Sequence, residues 1–314
     1  MVSRQMPPAR LARRVSSWDN VFMETTLSFK SKTITISPAH PFVVIGERIN
    51  PTRRKKLAAS LAEGDFRLAQ EEARMQVEAG AQVLDVNAGV PGVDEPAMLQ
   101  GAVKAIMEVV NVPLCFDSAN PLALEAALKI YPGKALINST TAEEKMMDAV
   151  LPLAKQYGAA VIGVITDDKG IPATAEDRLR VAENLLKRAA GHGVPAEDVI
   201  IDPLALTVSA DHRAGRITLD AMELIQKELG VNMNLGASNV SFGLPDRKIV
   251  NMAYLALAIS RGLTTAITDV TVPEIQTILL ACDLLMGRDE YSGRWIKAFR
   301  KREKAAAAAM AAAQ

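Results

Sequence analysis

Eight short runs rich in β-branched and other apolar residues recur along this chain at a nearly even spacing, each bounded by turn residues. They are Val43–Asn50, Gln82–Asn87, Pro113–Ser118, Ala135–Thr140, Ala160–Thr166, Val199–Leu204, Met233–Ser241 and Ala266–Val272. Runs of this length and make-up read as strands. Between them, segments such as Phe66–Ala79, Glu176–Ala190 and Ile249–Ile259 place apolar residues at helical spacing. Several helical segments stop at a glycine, among them Gly80, Gly158, Gly193, Gly230 and Gly262, which is a common C-terminal signal. The strand runs are apolar on both faces, as expected of parallel strands covered by helices. Eight such units in about 230 residues predict an α/β fold, a single-domain (β/α)₈ TIM barrel. The competing open doubly wound sheet carries a glycine-rich phosphate turn after its first strand. Here that strand runs into Gly46-Glu47-Arg48-Ile49-Asn50-Pro51-Thr52, which lacks it. The expected organisation is an N-terminal extension over 1–40, the barrel over 41–300 and an Ala-rich tail over 301–314.

Composition narrows the partners. The 314 residues carry 36 basic and 36 acidic side chains, so there is no charge excess to favour a nucleic acid or a membrane surface. No run approaches the roughly 20 apolar residues of a membrane span. Cys115 and Cys282 are far apart, each in an apolar segment, and the three histidines, His40, His192 and His212, are scattered. Neither a disulfide framework nor a His/Cys metal site can be built from them, and a reducing cytoplasm is the expected location. The first 20 residues, with Arg4, Arg10, Arg13 and Arg14 and no acid before Asp19, read as a disordered extension. The alanine run from Ala305 reads as a frayed continuation of a last helix.

In a barrel of this kind the active site sits at the C-terminal ends of the strands. The residues closing the expected strands are Glu47 and Asn50, Asp85 and Asn87, Asp117 and Ser118, Asn138 and Ser139, Asp202, Ser238 with Asn239 and Ser241, and Thr268 with Asp269. Any one of these could cap a helix, as Thr140 and Thr141 are expected to do. Seven of eight strands ending in carboxylates, carboxamides or hydroxyls point to a polar mouth. No strand ends in Lys, which removes a Schiff-base nucleophile, and none ends in His. Carboxylates could hold Mg²⁺, but no resident metal is expected. A ring of Asp and Asn suits a flat heterocycle with alternating donors and acceptors, and a pterin has that inventory.

At these residues the chain resembles the methyltetrahydrofolate:corrinoid methyltransferases, a family that includes the folate-binding domain of cobalamin-dependent methionine synthase. The resemblance rests on Gly46-Glu-Arg-Ile-Asn50, Leu84-Asp-Val-Asn-Ala-Gly89, Leu114-Cys-Phe-Asp-Ser118, Ile137-Asn-Ser-Thr140, Ile201-Asp-Pro-Leu204 and Ala237-Ser-Asn-Val-Ser241, and covers about residues 42 to 300. It implies that Asp117, Asn138 and Asp202 bind the pterin ring and that Asn239 reaches N5 as the catalytic carboxamide. Glu47, Asn50, Asp85, Asn87, Ser241 and Arg247 are further candidates for the mouth. It also implies tetrahydrofolate or methyltetrahydrofolate as substrate and a corrinoid (cobalamin) carried by a partner corrinoid protein; the expected assembly is a homodimer. Phe242-Gly243-Leu244-Pro245 departs from the more polar stretch associated with the family. Dihydropteroate synthase is the nearest alternative, but its Ser-x-Arg-x-His type of ending is replaced here by Thr268-Asp-Val-Thr-Val-Pro273. A non-catalytic folate-binding subunit is the alternative from a different class.

Overall fold

The computed structural model describes residues 23–312. The expected arginine-bearing leader over the first 20 residues lies outside them. The described chain opens with an antiparallel hairpin, β1 (Thr25–Phe29) and β2 (Lys32–Ile36). Seven parallel strands follow: β3 (Val43–Ile49), β4 (Val83–Val86), β5 (Leu114–Asp117), β6 (Leu136–Thr141), β7 (Ala160–Val164), β8 (Val199–Asp202) and β9 (Thr265–Thr268). Their order in the sheet is β8-β7-β6-β5-β4-β3-β9. Helices α1 (Lys55–Ala62), α2 (Arg67–Glu78), α3 (Glu95–Val109), α4 (Pro121–Ile130), α5 (Glu144–Tyr157) and α6 (Ala175–Gly191) lie between the earlier strands. Helices α7 (Ala214–Glu228), α8 (Arg247–Ser260), α9 (Pro273–Leu285) and α10 (Gly293–Ala312) complete the set.

The expected strand over Met233–Ser241 is corrected. Residues 232–235 only bridge the two edge strands. Ile201 N–H donates to the Asn232 carbonyl and Asn234 N–H to that of Ile201, both at 2.9 Å. On the other side Thr265 N–H donates to Met233 O at 3.1 Å and Ile267 N–H to Leu235 O at 3.0 Å. This short stave closes the curled sheet into a barrel. At Gly236 the chain leaves the extended conformation (φ −69°, ψ 76°) and forms a 3₁₀ turn over Ala237–Ser241. Small and hydroxyl-bearing residues favour such local turns over a ladder.

Alternation along each strand sorts the core into two layers. Val44, Leu84, Phe116, Ile137, Val161 and Ile201 face the helices. Ile45, Val83, Cys115, Leu136, Ile162 and Ile200 fill the barrel interior, where Leu27 and Ile36 of the hairpin join them. The hairpin therefore plugs the N-terminal end of the barrel. Ser28 N–H donates to Lys134 O just before β6, and Asn232 Nδ2 donates to Ile36 O at 2.8 Å. Residues 25–36, which fall inside the expected N-terminal extension over 1–40, pack with the barrel, because their apolar face covers its floor. Helix boundaries follow the sequence closely: Gly158 ends α5 with φ 61°, a left-handed geometry that favours glycine. Thr140 and Thr141 are the exception. They remain on β6, and the N-cap of α5 is Glu143. The alanine run continues α10 to Ala312.

Candidate functional site

The strand alternation that builds the floor also builds the site. Two residues beyond each interior apolar side chain the next inward position is polar: Ile45 leads to Glu47, Val83 to Asp85, Cys115 to Asp117, Leu136 to Asn138 and Ile200 to Asp202. These five side chains form one tier above the apolar layer. They line a cavity of about 500 Å³ at the C-terminal end of the barrel, together with Asn50, Asn239 and Asp269. That volume lies within the range of small-molecule sites.

Within the tier each carboxamide is held by a carboxylate. Asn138 Nδ2 donates to Asp85 Oδ1 at 3.0 Å, and Asn87 Nδ2 donates to Asp117 Oδ2 at 3.0 Å. Asn87 itself does not line the cavity; it orients Asp117. Asp202 accepts the Leu204 N–H at 2.9 Å through Oδ1 and the Asn234 carboxamide at 3.0 Å through Oδ2. Each of these bonds leaves acceptor capacity facing the cavity, since a carboxylate has about four lone-pair positions.

Burial dominates the electrostatics. It pushes Asp202 up to about 6, against the bonds from Leu204 and Asn234. It pushes Glu47 up to about 7, with the Ser238 bond pulling it back and the charge of Asp269 pushing it further. Asp85 is raised well above the ordinary carboxylate range by burial and then by the charge of Asp117. Asp117 is raised as well, by burial first, while its bond from Asn87 opposes the shift. A tier of buried carboxylates with so little compensating positive charge is suited to a ligand that brings N–H donors.

Asn239 lies on the 3₁₀ turn at the cavity wall. Its backbone N–H donates to Gly236 O at 3.1 Å, and no side-chain hydrogen bond holds its carboxamide among the described residues. A Cβ on Gly236 would come within 3.0 Å of Asn239 Nδ2, so glycine leaves the carboxamide room at this point. Ser238 next to it donates to both oxygens of Glu47, at 3.3 and 3.1 Å. Ser241 and Arg247 do not line the cavity. Ser241 is buried and accepts Arg247 Nε at 3.0 Å, while Arg247 Nη2 donates to Ser238 O at 2.6 Å. Both brace the turn that carries Asn239.

Several lining residues were not singled out in the sequence. Arg48 joins Asp269 at 3.0 Å and Glu72 at 2.8 Å, and Arg54 also bonds Glu72. This network ties the β3 end to β9 and α2 and frames one side of the mouth. Asp269 was already named as closing its strand, and Arg48 lies between Glu47 and Asn50, a position that was its available signal. Arg54 carried none, nor did Asn234, which does not line the cavity but holds Asp202 from behind. Among the described residues, no group of three or more His, Cys, Asp or Glu side chains is arranged to hold a metal ion.

Comparison with known proteins agrees with the chemistry of this cavity. The sequence model of a family described as pterin binding enzyme matches residues 46–269. The chain is 29% identical over 267 residues to the methylcorrinoid:tetrahydrofolate methyltransferase of Eubacterium limosum, covering 82% of this chain and 96% of that protein. It is 28% identical over 263 residues to methionine synthase of Mycobacterium tuberculosis, covering 78% of this chain. The match spans only 22% of that longer protein. Among solved structures, Yersinia pestis DHPS with a pterine–sulfa conjugate superposes with a TM-score of 0.62 at 17% identity, covering 84% of this chain and all of that one. A second structure, of Yersinia pestis dihydropteroate synthase, gives 0.59 at 14% identity, covering 85% and 99%. At these identities the structural likeness establishes the fold alone.

Proposed function

This chain belongs to the pterin-binding enzyme family, and from that premise we propose that it moves a methyl group between N5 of tetrahydrofolate and the cobalt of a corrinoid on a partner protein. The observation that carries the reading is the tier of Asp117, Asn138 and Asp202 beneath Asn239, whose carboxamide has no hydrogen bond among the described residues. Asp202 and Asp117 accept the N–H groups along one edge of the pterin. Asn138, its Nδ2 committed to Asp85, offers Oδ1 as a further acceptor. A buried polar edge left unpaired costs about 1–3 kcal/mol per group, so several strands share the recognition.

The methyl carbon leaves N5 with its bonding pair remaining on nitrogen, and N5 takes up a proton as cobalt(I) takes the methyl group. An amine nitrogen is a poor leaving group unless that charge is met. Asn239 can turn toward N5 and donate or accept there, which is electrostatic stabilisation by a positioned dipole. Glu47, pushed up to about 7 by burial and bonded to the neighbouring Ser238, is a buried acid on the same wall. In the reverse direction the N5 lone pair takes the methyl carbon, the cobalt–carbon pair stays on cobalt, and N5 gives up its proton to the same groups.

The corrinoid is assigned to the partner protein. Among the described residues, no helix is long and apolar enough to cross a membrane. A cytoplasmic homodimer belongs to the same proposal; Ile249 and Leu257 on α8 and Leu285 on α9 are exposed and supply apolar surface for a contact between copies. The test of function is methyl transfer between tetrahydrofolate and free methylcobalamin, followed by the corrinoid absorption spectrum. Binding of the folate with no transfer in either direction would leave a folate-binding subunit. Condensation of a pterin with an aminobenzoate would instead make it a synthase.

A further inference from the structure

The largest side chain that the fold buries completely is an arginine, Arg178 on α6, which is 1% exposed and does not line the pterin cavity. Its Nη1 donates to Pro203 O at 2.8 Å, to Leu204 O at 3.1 Å and to Thr218 Oγ1 on α7 at 2.9 Å. Its Nε donates to Pro172 O at 3.2 Å. Among the described residues, no carboxylate forms an ion pair with it. A buried cation without one is costly, and a neutral side chain could tie two loops together at a lower cost. The charge therefore needs its own account.

The bonds of Arg178 lead to the site. Leu204 lines the pterin cavity and stands at φ 62°, in the left-handed region that a bulky side chain rarely adopts. In this conformation its N–H donates to Asp202 Oδ1 at 2.9 Å while its carbonyl accepts from Arg178. The guanidinium thus holds the turn that holds Asp202. Burial raises Asp202, and the Arg178 charge is among the influences that pull it back down. Tyr254 of α8 also stands near this pair. Across the cavity are Glu47, Asp85, Asp117 and Asp269, with Arg48 and Arg54 on its lining. When ionised, those four carboxylates oppose a charge on Asp202. We propose that Arg178 is a positioning residue for the pterin: its bonds fix the Leu204 turn against Asp202, and its positive charge backs the carboxylate that accepts the pterin N–H groups. The inference rests on the folate reading of the cavity and adds to it a residue that the ligand never touches.

Two substitutions separate the charge from the bonds. Arg178→Gln keeps amide donors and loses the charge; Arg178→Lys keeps the charge and loses the planar fork of donors. The test is calorimetric titration of the full chain with methyltetrahydrofolate from pH 5 to 9, with the methyl-transfer rate measured at saturating folate. Arg178→Gln should bind about tenfold more weakly at pH 7, with the pH midpoint of binding moved up by about one unit. Arg178→Lys should bind at least about threefold more weakly at every pH, with its midpoint unmoved. In both, KM should carry the loss and kcat should stay within about twofold. A midpoint unmoved in Arg178→Gln, or a loss confined to kcat, would overturn the inference and leave Arg178 a structural clamp. If Arg178→Gln does not fold by circular dichroism, Arg178→Lys decides: unchanged affinity at every pH would overturn the positioning role. Failure of the unaltered protein to bind methyltetrahydrofolate at any pH would sink the folate reading itself, and this inference with it.

Discussion

Asn138 and Asp85, on neighbouring strand positions two apart in the sheet, are joined across the barrel interior by a 3.0 Å bond from carboxamide to carboxylate. The bond fixes which end of Asn138 faces the cavity, because its Nδ2 is committed as donor to Asp85 Oδ1. Asn138 therefore meets a ligand as an acceptor. Asn138→Ala and Asp202→Asn should each weaken methyltetrahydrofolate binding about 10- to 100-fold, the loss of one buried hydrogen bond. Both proteins should remain folded by circular dichroism. Unchanged affinity in both variants by calorimetry would remove these residues from the site.

The position of Asp202 on the pH scale gives a second prediction. Its ionised form is the one that accepts N–H donors, and burial raises it to about 6. Binding strength is thus fully present above about pH 7 and is lost as pH falls through 6, by up to about tenfold per pH unit. Dissociation constants measured from pH 5 to 8 should show this slope, and Asp202→Asn should bind weakly with the slope reduced. A slope identical in the variant would assign the titration to the ligand or to another group.

Asn239→Ala should behave differently from the floor variants. Its bond is proposed to strengthen as N5 gains charge, so turnover should fall by a larger factor than affinity. Single-turnover transfer with methylcobalamin and separate calorimetry would resolve the two effects. A raised KM with unchanged kcat would make Asn239 a binding residue only.

The plug at the opposite end of the barrel should matter for stability and not for the ligand. Leu27 is fully buried against the interior layer, and Leu27→Ala should cost about 2–5 kcal/mol. The urea midpoint should drop, with folate affinity within about twofold of the unaltered protein. A stability-neutral variant would show that the hairpin does not close the floor.

How legible these features were depends on how far apart in sequence their causes lie. The strand ends were readable because a buried run ending in Asp or Asn is a local signal, and the two-residue alternation that points Asp85, Asp117, Asn138 and Asp202 inward can be counted from the preceding apolar residue. The hairpin was not readable: Lys30 turns with φ 49° where a glycine or asparagine would have announced it. The strand expected over Met233–Ser241 looked longer than it is because Ala237 and Val240 continue an apolar pattern into a turn. The pairing of Arg48 with Asp269 joins residues 221 positions apart, a distance over which no local pattern speaks. The same holds for Asn234 and Asp202, which meet only because the short stave lies against β8.

The corrinoid should belong to the partner and not to this chain. Cobalamin modules of the methionine-synthase kind carry Asp-x-His-x-x-Gly, whose His replaces the lower ligand of cobalt. The nearest stretch here is Asp211-His212-Arg213-Ala214-Gly215, with the His adjacent to the Asp and the Gly one position early. The His212 side chain is 90% exposed, and its Nδ1 lies 3.9 Å from Asp211 Oδ1 on the loop that leads into α7. Among the described residues, nothing encloses a side chain so exposed, so water would reach a cobalt face there. Protein purified from cobalamin-supplemented cells should therefore be colourless, and elemental analysis after gel filtration should find cobalt far below one atom per chain. Adding a corrinoid protein should give a complex at low salt whose formation His212→Ala leaves intact, read by the elution position and the corrinoid spectrum. Stoichiometric cobalt retained by this chain alone, and lost in His212→Ala, would overturn the two-protein arrangement.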